Sequence, residues 1–202
     1  KNTTAFIKSL PYDLTQDQMG AVNSMISRIR EGKRLNCLVE GDVGCGKTMV
    51  AFIMMFAMAD SGYQSLLFAP TSVLAEQHYK ELKGYAEKYG YEAVYLSGGM
   101  KKKEKDAVLQ KIRDGEADFI IGTHALLSGD VSFHNLGLTV VDEEHKFGVL
   151  QRESVNEKAM RGVHSITMSA TPIPRSLAAT IFTDNVQVHR IMTMPGGRKP
   201  VK

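Results

Sequence analysis

Gly41-Asp42-Val43-Gly44-Cys45-Gly46-Lys47-Thr48 is the stretch that decides the fold. It reads G-x-x-x-x-G-K-T, the spacing of a phosphate-binding P-loop. Glycines let the backbone turn tightly and bring successive N–H groups up to phosphate oxygens. Lys47 places a point charge on the β- and γ-phosphates of a nucleotide, and the Thr48 hydroxyl is suited to ligate Mg²⁺. A helix starting near Lys47 adds the positive end of its dipole. The flanks separate this loop from a chance glycine-rich turn. Leu35-Asn36-Cys37-Leu38-Val39 before it is a short apolar run, as a buried strand requires; Met49 to Ala59 after it is an unbroken apolar run, as a buried helix requires. Every residue from Gly41 to Thr48 is therefore a candidate for nucleotide binding, and Thr48 also for the metal.

On both sides of the loop, strand-like and helix-like segments alternate. Apolar runs at 35–39, 65–69, 93–96, 118–121, 138–141 and 165–168 predict parallel strands buried on both faces. Amphipathic segments at 72–88, 101–114 and 149–160 predict helices between them; Leu74, Tyr79, Leu82 and Tyr85 recur at helical spacing in the first. This is the pattern of an α/β fold: a doubly wound, mostly parallel sheet in three α/β/α layers. Right-handed crossovers put the loops after the strands along one edge, where ligands bind. Nearly all the polar motifs of the chain fall in those loops. Residues 1–11 read as an arm or linker from a preceding region, 12–193 as the nucleotide-binding domain, and 194–202, rich in Pro and Gly, as a linker to a following one.

The bulk properties leave this reading room. A chain of 202 residues accommodates one sizeable α/β domain or two small ones. It opens on Lys1, and we expect it to be cut from something larger. A net charge of +3 permits an acidic polymer as partner without demanding one. The two cysteines, Cys37 and Cys45, are too few for a zinc site and read as reduced thiols. The longest apolar run is too short for a bilayer and no signal peptide precedes it, so we expect a cytoplasmic protein without a membrane partner. The methionines, Met49, Met54, Met55 and Met58 among them, read as core filler.

A second acidic element completes the nucleotide chemistry. Leu138-Thr139-Val140-Val141 leads into Asp142-Glu143-Glu144-His145, an apolar strand ending in Asp-Glu. Asp142 would hold Mg²⁺ through water, and Glu143 would orient and deprotonate the attacking water. An acidic strand end alone is often only a solvated loop; a P-loop upstream makes it a Walker B element.

Here the chain resembles the superfamily 2 helicases and translocases. Asp142-Glu143-Glu144-His145 is similar to that family's motif, as is Ser169-Ala170-Thr171-Pro172 after the next strand. Ala69-Pro70-Thr71 with Leu74-Ala75-Glu76-Gln77-His78 resembles its first DNA-contacting motif, and Gly122-Thr123-His124 its second. Leu14-Thr15-Gln16-Asp17-Gln18 resembles its adenine-reading Q motif. The finer resemblance is to the RecG family, bacterial helicases that remodel branched DNA. It rests on Gly-Thr-His-Ala-Leu, on Phe147-Gly148-Val149 with Gln151-Arg152, and on Thr171-Pro172-Ile173-Pro174-Arg175. The transcription-repair coupling factors (Mfd type) are near relatives.

The resemblance implies the first RecA-like domain of an ATP-dependent DNA helicase, an ATP hydrolase acting in DNA repair and recombination. Its cofactors are ATP and Mg²⁺, and its partners double-stranded and branched DNA. A second RecA-like domain of the same chain would close the site, and a monomer is expected. By the same resemblance Lys47, Asp142, Glu143 and His145 are catalytic, with His145 sensing the γ-phosphate. Gln18 reads the adenine edge; Ser169, Thr171 and Arg152 link the nucleotide to the DNA side, and Arg175 is either a further such residue or a surface charge. Thr71, Gln77, His78, Thr123 and His124 would contact DNA. Ser97-Gly98-Gly99 has the look of an ABC-transporter signature but lies too far from the Walker B element. We read Gly98 and Gly99 as a turn beside the nucleic acid. Lys101 and Lys102 after it are either a solvated helix start or a phosphate contact. Two other readings compete: an Mfd-type motor, and a nucleotide-gated DNA-binding module without turnover.

Overall fold

A helix with no polar face must be buried on all sides. In the computed structural model the run after the P-loop is such a helix, α3 (Lys47–Asp60), with Met49 to Phe56 all buried. The structure describes residues 2–11, 13–41, 46–127, 129–143, 163–169 and 187–191. In chain order the elements are α1 (Asn2–Ser9), α2 (Gln16–Arg30), β1 (Asn36–Glu40), α3, β2 (Gln64–Phe68), α4 (Ser72–Ala86), β3 (Ala93–Leu96), α5 (Lys102–Asp114), β4 (Phe119–Gly122), β5 (Leu136–Glu143), β6 (His164–Ser169) and β7 (Gln187–Arg190).

The seven strands form one sheet in the order β3-β4-β2-β5-β6-β1-β7, and each pairing between them is parallel. Successive strand residues point to opposite faces. Cys37, Val39, Leu67, Phe119, Ile121, Val140, Ile166 and Met168 pack into one core with the helices α1 to α4. Leu66, Phe68, Val94, Leu96, Ile120 and Val141 pack into a second core with Leu109 and Ile112 of α5 and with Leu126. The sheet is thus covered on both faces, the three-layer α/β arrangement that a parallel sheet needs. Among the described residues no helix is long and apolar enough to cross a membrane.

The expected strands appear within one or two residues of their predicted bounds. The predicted helix at 149–160 lies outside the described residues, as does the 194–202 tail. β7 was not expected. Its residues alternate between half-buried and exposed at the sheet edge, so it carries no apolar run. The predicted arm is helix α1, packed on the domain. Phe6 is fully buried and stacks on Phe56 of α3 at 4.2 Å. Thr3 donates from its backbone N–H and its Oγ1 to Asp60 Oδ2, at 2.9 and 2.7 Å, and Tyr91 donates to Asp60 Oδ1. The partial burial of Asp60 is outweighed by these bonds, which hold its carboxyl below the ordinary range.

One buried amide locks the far end of the sheet. Gln64 Nε2 donates to the carbonyls of Ile112 and Ala117, at 3.0 and 2.9 Å. Its Oε1 accepts from the N–H groups of His134 and Asn135, at 2.9 and 3.0 Å. Both hydrogens and both lone pairs of the amide are used.

Candidate functional site

The strand register assembles the site. Glu40 of β1 and Glu143 of β5 both pair with Ser169 of β6, and Val39 and Asp142 both pair with Met168. The chain leaves β1 at Gly41, whose N–H donates to the Ser169 carbonyl at 3.1 Å. Gly41 at the start of the P-loop, Ser169 and the Asp142-Glu143 pair therefore stand in one row at the carboxyl edge of the sheet, where parallel α/β sheets bind ligands.

Gly46 caps α3 with φ 87°, in the left-handed region that only glycine enters freely. This orients the helix start, with Lys47 and Thr48 in its first turn, back toward the row. Lys47 Nζ donates to the carbonyl of Gly41 and so spans the mouth of the loop. Asp142 is buried, 5% exposed, near the carboxyl end of β5. The Asp142 carboxylate and the Thr48 hydroxyl are oxygen donors of the kind a hard cation takes, with its other ligands from phosphate and water. Among the described residues no group of three or more His, Cys, Asp or Glu offers a soft-metal cage. Cys37 is no nucleophile: burial pushes its thiol up to about 12, against a weaker opposing effect of Arg28.

Gln18 is fully buried and its amide faces inward. Oε1 accepts from the Thr15 N–H at 2.9 Å, the Thr15 hydroxyl accepts from the Gln18 N–H at 3.2 Å, and Nε2 donates to the Gly46 carbonyl at 3.3 Å. Thr15 and Gln18 thus form the capping box of α2 and tie that helix to the P-loop. The T-x-x-Q spacing is the signal in the sequence for this role.

The candidates for the polymer side follow the neighbouring strands. Thr71, after β2, caps α4: its Oγ1 accepts from the Leu74 N–H at 3.3 Å while its side chain stays exposed. Gln77, further along α4, is exposed. Gly98 and Gly99 form the turn after β3 and have open space around them. Lys101 caps α5 without a side-chain hydrogen bond, Lys102 opens that helix, and both are exposed. His124, after β4, is exposed and stands edge-on to Phe68 at 5.5 Å. Two candidates lie deeper than the sequence suggested. Thr123 is buried, its N–H donating to the Leu96 carbonyl at 3.3 Å and its own carbonyl accepting from Leu126 at 3.0 Å. His78 faces inward from α4, 8% exposed, with Nε2 2.8 Å from Asp142 Oδ2. In this structure it stands with the acidic site and not on the outer surface, because the helix turns it about 100° away from Gln77. No sequence signal pairs these two residues, 64 positions apart.

The edge thus divides into two contiguous halves. The nucleotide candidates lie at β1, β6 and β5, and the polymer candidates at β2, β4 and β3. At about 4.8 Å between strands, β4 and β1 stand roughly 19 Å apart. Asp42, Val43, Gly44, Cys45, His145, Arg152, Thr171 and Arg175 lie outside the described residues. Glu143 is placed as the last residue of β5.

Residues 15–180 match the DEAD/DEAH box helicase family model. The chain is 41% identical over 195 residues to the ATP-dependent DNA helicase RecG of Borreliella burgdorferi, covering 96% of this chain and 28% of that one. It is 44% identical over 200 residues to the RecG of Staphylococcus aureus, covering 98% and 28%. The chain thus spans about 28% of the length of these curated relatives. A solved structure of RecG bound to a three-way DNA junction superposes with a TM-score of 0.81 at 39% identity, covering 99% of this chain and 26% of that one. The DEAD-box helicase Mss116, at 22% identity and a TM-score of 0.70 over 96% of this chain and 43% of its own, shares the fold.

Proposed function

This chain belongs to the DEAD/DEAH box helicase family, and from that premise we propose that it is the ATP-binding motor domain of a RecG-type, ATP-dependent helicase acting on branched double-stranded DNA. The observation that carries the reading is the divided sheet edge. The residues read as ligands of phosphate, metal and water lie at β1, β6 and β5, and exposed small, hydroxyl, amide and lysine residues lie at β2, β4 and β3. A motor needs both sites on one rigid body, so that a change at one displaces the other.

The roles follow from the motifs and, for the described residues, are supported by their places along the sheet edge. The P-loop amides from Gly41 to Gly46 and the Lys47 ammonium bind the phosphates, aided by the α3 dipole. Thr48 and Asp142 would supply the protein oxygens for Mg²⁺, which when bound would neutralise charge on the phosphates. Glu143 orients and deprotonates water, and His145 reads the γ-phosphate. Gln18 holds Gly46 to α2, and beyond these bonds its amide has one N–H and one lone pair for an adenine edge. Ser169, Thr171 and Arg152 pass the nucleotide state to the DNA side. Thr71, Gln77, Gly98, Gly99, Lys101, Lys102 and His124 meet the DNA backbone, with Thr123 holding His124 in place. Lys101 and Lys102 at the positive end of α5 oppose its dipole, which Glu104 in the same turn complements, and both lysines are exposed to a phosphate ligand. A second RecA-like domain closes the nucleotide site and contributes an arginine.

The test is ATP hydrolysis by the full-length protein on a three-way junction, on linear duplex and on single strands. The junction should stimulate most, and Glu143→Gln should abolish the stimulated rate. Equal rates on all three DNAs would overturn the branched-DNA reading; hydrolysis that survives Glu143→Gln would overturn the assignment of the base.

A further inference from the structure

The buried contact between His78 and Asp142 joins the two halves of the edge. His78 Nε2 and Asp142 Oδ2 are 2.8 Å apart, with their side chains 10% and 7% exposed. An ionised carboxylate only accepts hydrogen bonds, so the ring donates through Nε2–H. Three elements meet at this ring. It hangs from α4, the helix that follows β2, and β2 is the sheet neighbour of β5, which carries Asp142 as its penultimate residue. It stands edge-on to Phe52 of α3, at 6.3 Å and 88°, and α3 begins with Lys47 and Thr48. Gln77, the preceding residue, is exposed on the same helix. The bond occupies one carboxylate oxygen, restrains the plane of the group and leaves the other oxygen for a metal or its water.

We propose that His78 is a positioning residue for magnesium: its Nε2–H fixes the Asp142 carboxylate and fastens it to α4. Carboxylate ligands held by an outer hydrogen bond lose about 10- to 100-fold in metal affinity or activity when that partner is removed. The inference rests on the reading of Asp142 as the magnesium carboxylate, and the experiment separates the two.

The measurement is the affinity of the full-length protein for a fluorescent, non-hydrolysable ATP analogue as Mg²⁺ is raised. His78→Met removes the donor at similar size, and His78→Gln keeps an N–H near the Nε2 position. His78→Met should raise the Mg²⁺ midpoint about tenfold, with affinity in the absence of Mg²⁺ unchanged, and His78→Gln should restore the midpoint. Equal midpoints in the Met and Gln variants would overturn the proposal. So would a wild-type midpoint in His78→Met when Asp142→Asn shifts it, and then the metal reading of Asp142 stands. If Asp142→Asn leaves the midpoint unmoved, the metal reading itself fails and the proposal with it. Should His78→Met not fold, the wild-type protein decides by NMR. Adding Mg²⁺ to the nucleotide-bound state should shift the His78 ring resonances, and unmoved resonances reject the positioning role.

Discussion

Lys47 and Glu143 divide binding from chemistry, and the division can be measured. Lys47 is the cation that the first turn of α3 directs across the mouth of the loop. A charge-assisted contact of this kind is worth about 1.5–3 kcal/mol, so Lys47→Ala should weaken a fluorescent ATP analogue by roughly 10- to 100-fold. Unchanged affinity would end the P-loop assignment. Glu143→Gln removes a base and no phosphate ligand, so it should bind as the wild type and lose turnover.

At the scale of elements, the glycine of Gly122-Thr123-His124 answers to packing. A Cβ at Gly122 would lie 2.2 Å from the Leu96 carbonyl oxygen and 3.0 Å from Leu126 Cγ. The first of these is backbone of the adjacent strand β3 and has little room to yield, since the Thr123 N–H bonds to the same oxygen. Gly122→Ala should therefore cost about 1–3 kcal/mol in chemical denaturation. Gly98→Ala, with open space around it, should stay within about 0.5 kcal/mol. Equal effects would show that the β3–β4 seam is looser than described. The same seam carries Thr123 and His124, so this glycine sets the height of that part of the proposed DNA face.

At the scale of the molecule, two histidines give the fold a pH dependence. His164 of β6 accepts the Leu35 N–H at Nδ1, 2.9 Å away. Burial, with Arg34 adding to it, holds its pKa below the ordinary imidazole value, and burial alone does so for His189 of β7. Both native rings therefore favour the neutral form. Their contribution is complete above the unfolded-state pKa of about 6.5 and is lost as the pH falls from there through the depressed native values. The melting temperature should fall between pH 7 and 5, and His164→Asn, which keeps an acceptor and cannot titrate, should flatten the fall. A wild type with no such fall would show that the rings are solvated. The isolated chain should also bind ATP yet turn it over poorly, because an arginine supplied from across the site is worth on the order of 10³–10⁵ in rate in P-loop enzymes. Strong DNA-stimulated hydrolysis by this chain alone would contradict the need for a second domain.

Residues close together in the chain could be read from the sequence alone. The P-loop, the apolar strand and helix beside it, the Asp-Glu strand end and the alternation of elements are local patterns, and local patterns with buried faces dictate both the element type and the parallel sheet. Residues 2–9 show the limit: without a long apolar run they read as an arm, and only the stacking of Phe6 on Phe56 and the bonds to Asp60 make them part of the domain. β7 escaped for the same reason, since an edge strand needs no apolar run. The strand order, the level register of Glu40, Ser169 and Glu143, and the inward turn of His78 onto Asp142 were settled only in three dimensions. Each depends on which distant segments the closing of two cores brings together. A carboxylate can show its chemistry in the sequence, but the partner that aims it is chosen by packing.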